Sequence, residues 1–185
     1  MKHLKVIACE ISFRELCFCA SQSVNLVDFT FMGKTLHNEG CQSIHSALQA
    51  EIDKVPVDKY DAILLAYGLC SNGVVGLKSE LPIIIPKAHD CTTFFLGSKE
   101  KYKEFFDNNH GTFIYTSGWI ERDGNKDDSD IMNVLGIDKT YEQYLEEYGE
   151  ENAAYIMEIL GSHENSYTKI VFIDTGVGDV EKYRM

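Results

Sequence analysis

Long apolar runs are missing from this sequence. No stretch approaches the ~20 residues that a membrane helix needs, and Met1 to Ala8 lacks the longer apolar segment of a secretory signal. A cytoplasmic protein with no membrane partner is therefore expected. Basic charge is scarce as well: 17 Lys and Arg stand against 29 Asp and Glu, for a net charge of -12. Nucleic-acid binding rests on cations that neutralise phosphates, so DNA and RNA are expected to be repelled. Proline is rare, at 3 residues, while 44% of the chain is hydrophobic and 25% charged, which is the composition of a folded globular chain. Also absent are three signatures: the paired C-x-x-C of zinc knuckles, the G-K-[ST] ending of a P-loop, and the G-x-G-x-x-G of a dinucleotide fold.

What is present is an alternation of strand and helix patterns. Leu4 to Ala8, Val24 to Phe31, Asp61 to Ala66, Ile83 to Ile85, Thr112 to Thr116 and Lys169 to Ile173 are short runs rich in β-branched and aromatic residues. Between them Glu10 to Ala20 and Cys41 to Asp53 read as helices, the second with Ile44, Ala47, Leu48 and Ile52 at helical spacing. About two helical turns fit Asn72 to Ser79. A helical stretch follows Cys91 as far as Phe106, broken at Gly97-Ser98, and two more helices are predicted around Tyr141 to Tyr148 and Asn152 to Leu160. The expected fold is α/β: a mostly parallel open sheet with helices on both faces, Rossmann-like and three-layered, in a single domain over residues 1–185.

In such sheets ligands gather beyond the carboxyl ends of the strands. Cys9 follows the first predicted strand directly, Cys70 comes four residues after the third, and His89 and Cys91 follow the fourth. Three thiolates and one imidazole are a known tetrahedral zinc set, so Cys9, Cys70, His89 and Cys91 are the candidate metal ligands. The alternative is that these cysteines are small apolar groups packing tight turns. Glu10 and Asp90 neighbour candidate ligands and could orient one or move a proton; solvated turn residues are the plainer reading. Tyr67, Asn72 and Trp119 lie on the same predicted rim and are the candidates to shape a pocket for a small anionic or thiol ligand. Core packing and helix capping explain them equally well. Cys17, Cys19, Cys41 and His37 are weaker candidates, since nothing near them in sequence completes a site.

Tyr67-Gly68-Leu69-Cys70-x-Asn72-Gly73 and Ala88-His89-Asp90-Cys91, with Ala8-Cys9-Glu10 before and Asp174-Thr175-Gly176 after, resemble the motifs of domain of unknown function 1638. Members of that family occur in methanogens and anaerobic bacteria, often beside corrinoid-dependent methyltransferases. The resemblance implies that Cys9, Cys70, His89 and Cys91 share a site. It also implies a role near corrinoid-dependent methyl transfer or one-carbon metabolism, with corrinoid or methyltransferase proteins as partners. It does not decide whether the chain is an enzyme. Three functions follow as expectations: a zinc protein, an iron-sulfur or corrinoid-handling accessory protein, and a metal-free domain that binds or senses a small ligand.

Overall fold

The computed structural model describes residues 1–37, 40–70, 72–122, 145–146, 149–150 and 169–183. Alternating strands and helices begin with β1 (His3–Cys9), α1 (Phe13–Gln22), β2 (Leu26–Met32), α2 (Cys41–Ile52), β3 (Ala62–Ala66) and β4 (Ile83–Ile84). They continue with α3 (Cys91–Leu96), α4 (Lys99–Asn108), β5 (Thr112–Tyr115), α5 (Ser117–Arg122) and β6 (Lys169–Phe172). Short 3-10 turns follow β1 at Glu10–Ser12 and β2 at Lys34–His37.

β1 to β4 form a parallel four-stranded sheet in the order β2-β1-β3-β4. The chain builds β2 on one side of β1, then crosses back over α2 to place β3 on the other. The expected parallel α/β architecture is what the chain adopts. One departure is that β5 and β6 pair with each other, also in parallel, as a separate two-stranded sheet rather than extending the first.

Side-chain alternation along the strands gives each face of the main sheet its own apolar layer. Ile7, Cys9, Ile63, Leu65 and Tyr67 share one cluster with Ile44, Leu48 and Ile52, the buried stripe of α2. Val6, Ala8 and Ala66 look the other way, against Leu16 of α1 and Phe29, Phe31 and Leu64. β3 is covered on both sides, which explains its unbroken apolar sequence. Pro82 and Pro86 bracket β4, cannot donate to a ladder, and hold its pairing to two residues.

Asn72 does not open a helix. Residues 72–76 form hydrogen-bonded turns, with the Gly73 N–H donating to the Cys70 carbonyl at 3.1 Å and the Val75 N–H to the Asn72 carbonyl at 3.0 Å. Both Cys70 (φ 42°) and Asn72 (φ 67°) are left-handed, a conformation that a right-handed helix start cannot use. The break at Gly97-Ser98 is as expected. Gly97 ends α3 in the left-handed region, and the Ser98 hydroxyl accepts the Lys101 N–H to start α4. The helices expected around Tyr141 to Tyr148 and Asn152 to Leu160 lie almost wholly outside the described residues.

Candidate functional site

In the order β2-β1-β3-β4 the strand sequence reverses between β1 and β3. In an open parallel sheet such a reversal is where a crevice forms at the carboxyl ends of the strands. Cys9 is the last residue of β1, and Cys70 lies in the loop leaving β3, so the two thiols flank this switch point. Cys91 is carried to the same place by the loop after β4. The Leu69 and Cys70 N–H groups donate to the Ala88 and His89 carbonyls at 3.0 and 3.2 Å. Gly68 allows the approach: a Cβ there would lie 2.7 Å from the Asp90 backbone. α5 packs directly on the turn after β1, since a Cβ on Gly118 would overlap the Ile11 carbonyl.

Cys9 (3% exposed) and Cys70 (8%) are buried, and Cys91 and Trp119 pack against the same cluster. All six cysteines are free thiols. Burial pushes Cys9 to about 12, Cys70 to about 11 and Cys91 to about 12, and charge on Cys70 raises Cys9 while charge on Cys9 and Cys70 raises Cys91. Smaller contributions oppose burial and favour the thiolate, from the Ile11 peptide at Cys9, the Gly68 peptide at Cys70 and the Trp119 indole at Cys91. The phenol of Tyr67 sits among them, raised first by burial and then by Cys9, Cys70 and Glu10.

The neighbouring acids are held differently. Glu10 accepts the Lys34 N–H at 3.0 Å and lies 3.6 Å from the Arg122 guanidinium, so its carboxylate joins the turns after β1 and β2 to α5. Asp90 caps α3, its Oδ1 accepting the Thr93 N–H at 3.1 Å, while Oδ2 accepts the Tyr102 hydroxyl at 3.0 Å. Burial first, and then Asp90, raise the Tyr102 phenol to about 12, so it remains a donor.

Thus the structure gathers Cys9, Tyr67, Cys70, Cys91 and Trp119 in one apolar cluster at the strand ends, with Glu10 next to Cys9. His89 stands at the cluster's margin, exposed, with Nδ1 3.1 Å from Asp90 Oδ2. Asn72 is exposed in the turn beyond Cys70. Among the described residues no three His, Cys, Asp or Glu side chains stand at the spacing that would already enclose a metal ion. Cys17 is half-buried and Cys19 and Cys41 are exposed, all apart from the crevice cluster. Sequence reasoning passed over Lys34, which is 8% exposed with its ammonium 5.4 Å from the centre of the Trp119 ring. The available signal was its place just after Gly33, where the second strand ends.

No curated protein and no solved structure matches the chain. A family described as protein of unknown function (DUF1638) matches residues 31–185, which takes in Cys70, His89, Asp90, Cys91 and Trp119 and leaves Cys9 and Glu10 before its start. No helix among the described residues is long and apolar enough to cross a membrane. With most of its length matched, the chain belongs to the DUF1638 family.

Proposed function

We propose that the crevice is a thiolate metal site, with zinc as the metal, on a cytoplasmic protein that serves corrinoid-dependent methyl transfer or one-carbon metabolism. The observation that carries the metal reading is the arrangement of Cys9, Cys70 and Cys91. Thiols from three strand ends pack in one apolar cluster, Cys9 and Cys70 buried and Cys91 half-buried, and the Ile11 and Gly68 peptides and the Trp119 indole favour their charged forms. Core cysteines need no such donors. A metal-thiolate centre does, because hydrogen bonds to sulfur offset its accumulated negative charge. The donor set fits zinc in kind, since thiolate and imidazole are its preferred ligands.

Cys9, Cys70 and Cys91 would hold the ion, and the imidazole of His89 at the margin would be the fourth ligand. A bound zinc ion supplies Lewis acidity, which binds and activates a thiol or water when one coordination position is open. The chain's own residues contribute the rest. The Ile11, Gly68 and Trp119 N–H groups stabilise the thiolates, Tyr67 and Trp119 exclude water from the crevice, and Glu10 fixes the surrounding turns. The methyl-transfer context rests on the family resemblance alone, and corrinoid or methyltransferase proteins are the partners it suggests.

A metal-free crevice that receives a small ligand is the second reading, favoured by the lack of a ready-made ligand cage among the described residues. An iron-sulfur or corrinoid role is separated from zinc by colour. Elemental analysis of untagged protein purified without oxygen is the test. About one zinc per chain is expected, with Cys70→Ser and Cys91→Ser each removing most of it. Metal retained at the wild-type level in the Cys70→Ser/Cys91→Ser double variant would return these thiols to the core.

A further inference from the structure

Cys9 and Cys70 are buried, so a solute reaches them only when something beside them moves. Most of the neighbouring segments are poorly suited to do so. The turn after β1 runs on from an inner strand, and the loops after β3 and β4 are stitched together by the backbone bonds that Leu69 and Cys70 donate to Ala88 and His89. α5 is attached differently. It is a six-residue helix that follows β5 of the second sheet, and its Trp119 packs on the thiol cluster while Gly118 rests on Ile11. Side chains fasten it further, with Arg122 3.6 Å from Glu10 and Glu121 2.6 Å from Arg14.

The end of the described chain braces that helix. The Thr175 hydroxyl donates to Glu15 of α1 at 2.8 Å, and Gly178, at φ 87°, runs so close over Arg14 that a Cβ would lie 3.3 Å from its guanidinium. The Lys182 ammonium lies 3.3 Å from Glu121, and the Tyr183 hydroxyl donates to the same carboxylate oxygen. Tyr183 is held to β6 in turn, its ring centroid 5.9 Å from that of Phe172. We propose that residues 175–183 are a latch: by fastening α5 to α1 at Glu121 they keep Trp119 on the thiols, and release of the latch opens Cys9, Cys70 and Cys91 to solutes. The opening is local, since β1 to β4 keep their pairing while α5 lifts. It governs access, and so holds whether the thiols take a metal or a small ligand. A purely structural tail would instead stabilise the whole fold and leave the thiols no more accessible than any other buried group.

Iodoacetamide alkylation of the full, reduced chain after treatment with a chelator, mapped cysteine by cysteine by mass spectrometry, reads the opening. Exposed Cys19 and Cys41 are the internal references. Thr175→Val/Tyr183→Phe removes the two tail hydroxyls that bind α1 and α5, and should speed alkylation of Cys9 and Cys91 by about 10-fold with Cys19 and Cys41 unchanged. Added urea should change that acceleration little, because a lifted α5 exposes little surface. Trp119→Ala takes away the cover itself, so it should speed the same thiols and leave the latch substitutions without further effect. If the double variant melts early, Gly178→Ala, which strains the left-handed backbone over Arg14, takes its place. Unchanged rates in the folded variants, a urea slope equal to that of global unfolding, or the same acceleration persisting in the Trp119→Ala background would overturn the latch. Each of these results leaves the metal reading standing, because that reading is decided by the elemental analysis alone.

Discussion

Cys70 adopts φ 42°, a left-handed backbone that costs a residue with a Cβ roughly 1–2 kcal/mol and glycine almost nothing. Packing alone would favour glycine here, so the thiol is retained against a local conformational cost. Cost of this kind gathers at functional positions. The two contributions can be separated. Cys70→Gly relieves the backbone and Cys70→Ala does not, so the glycine variant should be the more stable of the two by about 0.5–1 kcal/mol in urea denaturation. Both should lose the metal. An alanine variant equal to or more stable than the glycine variant would show that the left-handed turn is not populated in solution.

Among the elements, the end of the described chain is tied to its beginning. Glu121 of α5 binds Arg14 of α1 at 2.6 Å, lies 3.3 Å from Lys182, and accepts the Tyr183 hydroxyl in the closing 3-10 turn Glu181–Tyr183. The Thr175 hydroxyl adds a bond to Glu15 at 2.8 Å. The hydrogen bond from Arg14 is the main reason that the Glu121 carboxyl is lowered to about 2. Its folded value is depressed, so its stabilisation is present above the unfolded carboxylate value of about 4.3 and is lost as pH falls toward about 2. Partial solvent screening limits it to about 1 kcal/mol. Glu121→Gln should therefore lower the thermal midpoint at pH 6 and have little effect near pH 2. An equal drop at both pH values would mean that lost packing, not lost charge, is responsible.

How far these elements could be read beforehand depended on what kind of signal each carried. The strands of the main sheet and the stripe of α2 are written in periodic apolar residues, and Gly97-Ser98 marks its own break because a left-handed cap and a hydroxyl cap are local requirements. Asn72 to Ser79 misled because several glycines and valines leave helix and turn equally open, and the left-handed φ of Cys70 and Asn72 is set by contact with the next loop. The convergence of Cys9, Cys70 and Cys91 was legible from strand ends and the parallel-sheet rule. The packing of Trp119 and Cys91 on one cluster, the burial of Lys34 and the anchoring of Asp90 by Tyr102 are tertiary contacts with no pattern in the sequence. The pairing of β5 with β6 was invisible for the same reason: about equal strand signals do not say which neighbour each will choose.

For the whole molecule, the charge of -12 sets the external field. No measurable duplex DNA or RNA binding is expected at physiological salt, and a modest-affinity gel shift that weakens steeply as salt rises would contradict this. The scatter of the thiols along the chain has an effect on assembly. Cys9, Cys70 and Cys91 belong to segments that meet only when β1, β3 and β4 have paired, so an unfolded chain presents isolated thiols rather than a chelating loop. Loading would then come last, after the sheet has closed, in contrast to knuckle proteins in which the ion nucleates the fold. A chelator would empty such a protein while leaving its circular dichroism in place, and restoring the ion would be a matter of diffusion, not of refolding.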